Sequence, residues 1–111
     1  MVINLGTNDY SYISKDSETR AYIAFLKTVR EKNPDAYIIC TFGTMGGEGV
    51  YPLIEQAVGE YSNSESDERI MCYQSAIQNQ ADGIGSDWHP SAITQQKSAY
   101  VLADKICQAL G

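Results

Sequence analysis

The sequence is short of basic charge, has no paired cysteines and has no long apolar run, and each shortage removes a class of function. Lys and Arg number 8 against 14 Asp and Glu, for a net charge of -6. Without a cluster of cations to displace counterions from phosphates, this balance argues against a nucleic-acid partner. The 3 cysteines, Cys40, Cys72 and Cys107, lie far apart with no Cys-x-x-Cys spacing, which excludes a zinc ribbon or thioredoxin motif. Their odd number also disfavours a complete disulfide framework. No apolar run is long enough to span a membrane and no signal peptide is visible, so no membrane partner is expected.

The composition is that of an ordinary globular chain, with 43% hydrophobic and 20% charged residues. A chain of 111 residues forms one domain at most and buries only about two-thirds of its unfolded surface. Cys40 and Cys72 sit in apolar strand-like runs and Cys107 in a helical one, so all three are expected as buried free thiols. The acidic run Glu65, Asp67 and Glu68 reads as a solvated loop rather than a metal site. Neither metal nor cofactor is expected.

Short β-branched runs alternate with longer segments of helical period, which predicts an α/β fold with a parallel sheet, flavodoxin-like and three-layered. Three strands are expected at about 1–5, 36–42 and 69–74. Three helices are expected at about 17–32, 49–61 and 90–110, the first capped by Asp16 or Ser17 and carrying Tyr22, Phe25, Leu26 and Val29 on one face. A polar loop holding Tyr10, Tyr12 and Ser14 follows the first strand, and another is expected over 62–68. The glycine-rich Gly43-Thr44-Met45-Gly46-Gly47 lacks the lysine and spacing of a phosphate loop, leaving an active-site loop or a connector.

In parallel α/β sheets ligands gather at the carboxyl ends of the strands, and two motifs fall there. Gly6-Thr7-Asn8-Asp9 ends the first strand, where an Asn amide can donate to an anionic oxygen or simply close a turn. Asp87-Trp88-His89 ends the loop after the third strand, and His89 is the chain's single histidine. Preceding Pro90, His89 is expected at a helix N-cap, with Asp87 near enough to hold the ring's Nδ1 and fix its tautomer. A surface histidine capping a helix would account for the same residues.

Val2-Ile3-Asn4-Leu5-Gly6-Thr7-Asn8-Asp9 resembles the G-x-N-D block of SGNH (GDSL-like) hydrolases, and Ser86-Asp87-Trp88-His89-Pro90 resembles their last block. The D-x-H spacing, where most of that superfamily has D-x-x-H, together with Gln95-Gln96-Lys97, is similar to the second carbohydrate esterase family, which removes acetyl groups from xylan and related polysaccharides. The resemblance covers residues 1–111 and implies the C-terminal portion of one SGNH hydrolase domain. It implies a Ser-His-Asp mechanism, or Ser-His since some members dispense with the acid, with His89 as general base, Asp87 as its orienting acid, and Asn8 as an oxyanion-hole donor presented by Gly6. Trp88 would lie beside the cleft, stacking on a sugar or packing in the core. An acetylated polysaccharide or oligosaccharide is the implied substrate, and the parent would be secreted or on a bacterial cell surface.

No Gly-Asp-Ser block occurs, and the chain opens directly on a core strand, as a fragment would. A base without a nucleophile forms no acyl-enzyme, so the polypeptide alone is expected to be inactive. It is also expected to self-associate or to take a complementing N-terminal half. Two alternatives compete: a glycan-binding module built on Trp88 with Tyr10, Tyr12 and Tyr51, and a non-catalytic truncated fragment or flavodoxin-like half domain.

Overall fold

The computed structural model describes residues 1–9, 14–46 and 49–111. Its centre is a parallel sheet of three strands in the order β1-β2-β3, made of Val2–Asn4, Ile38–Phe42 and Ile70–Gln74. Three α-helices accompany it: α1 over Lys15–Lys32, α2 over Val50–Glu65 and α3 over Ala92–Leu110. Short 3-10 turns at Gln80–Asp82 and Ser86–Trp88 lie in the last long connection. This is the α/β arrangement expected from the alternating pattern.

Alternation along the strands assigns the layers. Ile3, Ile38, Cys40, Phe42 and Ile70 face α1 and α2, packing with Leu26, Val50, Ile54, Val58 and Tyr61. Each fully buried aliphatic in that cluster contributes about 1.5–3 kcal/mol. The side chains between them face the other way, where Ile106, Ala109 and Leu110 of α3 close on Val2 and Ile39. That layer is thinly filled: Thr94 is the only buried residue of α3, while Ile93, Tyr100, Val101 and Leu110 stand exposed.

The register pairs Ile3 with Cys40 and Cys40 with Cys72, so the two thiols are neighbours across β2 and β3. Cys40 is buried and Cys72 half-buried, but Cys107 is exposed, contrary to expectation, because it lies on the thinly packed helix α3. Burial raises the Cys40 thiol to about 11, even though the Tyr22 hydroxyl beside it acts in the opposite direction.

Element ends moved for identifiable reasons. Ser14, rather than Asp16 or Ser17, caps α1, its hydroxyl accepting from the Ser17 amide at 3.4 Å. Helix α2 runs four residues past Tyr61, to Glu65, through the segment expected as a loop, and ends where Ser66 turns left-handed with φ 52°. The Ser62 hydroxyl and carbonyl then hold the exit, donating to the Asp67 carbonyl at 2.7 Å and accepting from its amide at 3.0 Å.

Asp67 is not solvated: its side chain is 9% exposed and pairs with Arg30 at 2.8 Å. The rest of that guanidinium donates to the carbonyls of Ala36 at 2.5 Å and Arg69 at 3.1 Å. Arg30 therefore staples the α1–β2 connection to the α2–β3 connection, at the amino end of the strands. Burial alone would raise the Asp67 carboxyl, but hydrogen bonds from Arg30, the Arg69 amide and Tyr61 together hold it below the usual carboxylate range.

Candidate active site

Of the loops that leave the opposite, carboxyl end of the sheet, those after β1 and β3 carry the two motifs. The first is a tight turn after β1 in which the Asp9 amide donates to the Gly6 carbonyl at 3.1 Å. Gly6 is obligatory on two counts: its φ is +110°, and a Cβ there would meet Val50 Cγ1 at 3.1 Å. Asn8 stands exposed at the tip. The end of β2 lies directly alongside, since a Cβ on Gly43 would be 3.4 Å from the Asn4 side-chain oxygen and 3.9 Å from Thr7 Oγ1.

The second loop runs from β3 to α3 and is tied down along its length. The Gln78 amide donates to the Thr44 carbonyl at 2.8 Å and its side chain to the Trp88 carbonyl at 2.7 Å. Gln78 thus joins the loop after β2 to the segment bearing the histidine. Ile84 and Pro90 then pair in an antiparallel bridge, closing a small loop around Ser86–Trp88. Within it the Gly85 amide donates to the His89 carbonyl at 2.8 Å, and the His89 amide to the Ser86 carbonyl at 3.0 Å. Gly85 allows that closure because a Cβ there would lie 2.9 Å from the His89 carbonyl oxygen. Asp87 and Trp88 are both left-handed, with φ 49° and 61°. Such positions cost non-glycine residues on the order of 1–3 kcal/mol each and cluster at functional sites.

His89 Nδ1 lies 3.1 Å from the Ser86 carbonyl oxygen. A carbonyl only accepts, so Nδ1 carries the proton and a neutral ring keeps its lone pair at Nε2. The orienting partner is therefore main-chain oxygen; among the described residues no hydrogen bond joins Asp87 to His89, because the left-handed turn leaves the Asp87 side chain exposed. Nor is His89 the helix cap. Ser91 is, accepting from the Thr94 amide at 3.2 Å, while Pro90 is held in the bridge to Ile84.

Trp88 is 69% exposed, so it is not a core residue. With Asp87, Gly85, Ile84 and Gln80 it lines a groove of about 330 Å³. Gly6 lines a separate depression of about 170 Å³ beside Tyr22 and Phe25 of α1. Asn8 and His89 share the carboxyl edge of the sheet but sit on separate turns, with no hydrogen bond between them among the described residues. Of the tyrosines considered for a sugar platform, Tyr51 is half-buried with its hydroxyl on Cys72 Sγ at 3.8 Å, while Tyr10 and Tyr12 lie outside the described residues, as does Gly47. Gln78 and Asp82 escaped the sequence reading, as did the role of the Ser86 carbonyl; only Asn79-x-x-Asp82 carries a legible signal, that of a side-chain cap at a turn.

No family model matches the sequence. The cellulase/esterase CelE of Acetivibrio thermocellus is 37% identical over 117 residues, covering 100% of this chain and 14% of that protein. An active-site mutant of a family two carbohydrate esterase from Clostridium thermocellum superposes with a TM-score of 0.88 at 35% identity, over 99% of this chain and 35% of that one. A family two carbohydrate esterase from the same organism, solved with cellohexaose, gives 0.79 at 34% identity over 93% of this chain and 34% of that one. This chain therefore spans about a third or less of the length of each.

The parallel sheet with its helices is the α/β arrangement of the SGNH-like hydrolase fold that these relatives have. Within that class the chain corresponds to a C-terminal part of the family two carbohydrate esterases.

Proposed function

We propose that residues 1–111 supply the base-bearing side of a carbohydrate esterase domain whose nucleophilic Ser lies on the domain's other, N-terminal part. The observation that carries this reading is the His89 ring, held at Nδ1 by a carbonyl and open at Nε2, on the same sheet edge as the Asn8 turn. In the completed domain Ser attacks an acetyl ester of a sugar hydroxyl, and His89 Nε2 takes its proton. The same imidazolium then returns the proton to the departing sugar oxygen. Asn8, aimed by the Gly6 turn, donates to the oxyanion as the carbonyl carbon becomes tetrahedral. Water repeats the cycle on the acyl-enzyme and releases acetate.

On this reading the Ser86 carbonyl sets the tautomer that a triad assigns to a carboxylate. Asp87 adds negative charge near an imidazolium and polar lining to the Trp88 groove. The polypeptide alone hydrolyses nothing, and its open β1 edge and exposed α3 side chains receive the N-terminal part or a second copy.

The test is acetate release from acetylated xylan by the chain alone and by the chain joined to the preceding part of its domain. The joined protein is expected to be active and to lose about six orders of magnitude in kcat on His89→Ala. A rate from the chain alone that disappears in His89→Ala would overturn the division of labour, and an unaffected rate in the joined variant would overturn the role of His89.

The exposed indole favours a second reading, glycan binding in the same groove. A pyranose stacked on Trp88 would find hydrogen-bond partners in Gln80 and Asp87. Binding of cellohexaose, the ligand of the Clostridium thermocellum relative, is expected to survive His89→Ala and to be lost in Trp88→Ala.

A further inference from the structure

We propose that Asp82 is a positioning residue for His89, clamping together both stems of the closed loop that carries the imidazole. The Ile84–Pro90 bridge closes that loop, but a single isolated bridge does not by itself hold its two stems together. The stem on one side is the Gln80–Asp82 turn, and on the other it is Ser91 at the start of α3. Asp82 meets both. Its carbonyl accepts from Ser91 Oγ at 2.7 Å, and its carboxylate accepts from Lys97 Nζ on α3 at 2.6 and 2.7 Å. Asn79 closes the turn from below, its amide nitrogen 3.1 Å from the same carboxylate and its oxygen accepting from the Asp82 amide at 3.0 Å.

Helix α3 needs such a clamp because it is thinly packed, with Thr94 its only buried residue. If the stems part, the Ser86 carbonyl and the ring lose their fixed relation, since Ser86 follows one stem and His89 precedes the other. The Asp82 side chain is 16% exposed and that of Lys97 61% exposed. An ion pair this open adds little to global stability, so its removal should disturb placement without unfolding the sheet. The clamp deepens the esterase reading and rests on it for its purpose, but its effect on the ring can be measured without catalysis.

The single histidine makes the measurement direct. Nitrogen-15 NMR of the full chain reads which imidazole nitrogen carries the proton in the neutral ring. The unaltered chain is expected to show mainly the Nδ1–H tautomer. In Lys97→Met the majority should pass to Nε2–H while the amide resonances of Ile38–Phe42 stay in place, and Lys97→Arg should keep Nδ1–H. Asp82→Asn should reproduce Lys97→Met; if that variant disturbs the sheet, Lys97→Met decides alone. Retention of the Nδ1–H majority in Lys97→Met overturns the proposal. Failure of the joined protein to release acetate would overturn the esterase reading and leave this result standing.

Discussion

Gly85 separates two roles that glycine can play. Gly6 needs both its positive φ and its empty volume, whereas the φ of Gly85 is an ordinary -80° and only the space matters, with the His89 carbonyl 2.9 Å from where a Cβ would stand. Gly85→Ala is therefore expected to push the two loop strands apart at a cost of about 1–3 kcal/mol, read as faster hydrogen exchange at the Gly85 and His89 amides. Gly6→Ala should lower the melting temperature more, because strain and crowding add. Arg30→Ala removes one partner of a mostly buried carboxylate to which Tyr61 and the Arg69 amide still donate, and should cost about 1.5–3 kcal/mol in denaturant unfolding. The sign of the accompanying pH effect follows from Asp67. Its folded carboxyl titrates below the unfolded one, so its contribution is present above about pH 4 and fades as the pH falls through the folded value. Asp67→Asn should thus be less stable than the unaltered chain at neutral pH, with the gap closing in acid.

Helices and strands were largely legible because their patterns are local. Ile38–Phe42 is five buried residues in a row, and no other element explains such a run in a chain that alternates strands with helices. The tail of α2 was not legible, since Ser62, Asn63 and Ser64 favour loops by propensity and are helical here only because the turn around Asp67 and Arg30 secures the exit. The cap of α3 failed for a related reason. His89 before a proline looks like a helix start, but Ser91 has the better capping oxygen and the tertiary bridge to Ile84 removes Pro90 from the helix. Ser91→Ala should cost about 1 kcal/mol and fray the first turn of α3, seen as lost protection at the Thr94 amide. In the histidine loop, residue types pointed to a carboxylate as the ring's partner. Backbone geometry supplied a carbonyl instead, and nothing in the spelling of Ser86-Asp87-Trp88-His89 announces two left-handed residues.

Over the whole molecule the two faces of the sheet differ in completeness. The face toward α1 and α2 holds a continuous core from Ile3 to Ile70, whereas the face toward α3 leaves Tyr100 70% and Leu110 76% exposed. The chain is accordingly expected to populate dimers or larger species in sedimentation velocity at micromolar concentration, and to become monodisperse when joined to the rest of its domain. A monodisperse monomer of the chain alone would show that α3 repacks onto the sheet without help.

The closed loop between Ile84 and Pro90 couples two side chains that a looser connection would leave independent. Because Trp88 and His89 are consecutive and both stems are pinned, a change that reorients the indole must also turn the imidazole. Gln80 lines the same groove from outside that loop, so the groove's polar lining can change there without a substitution inside it.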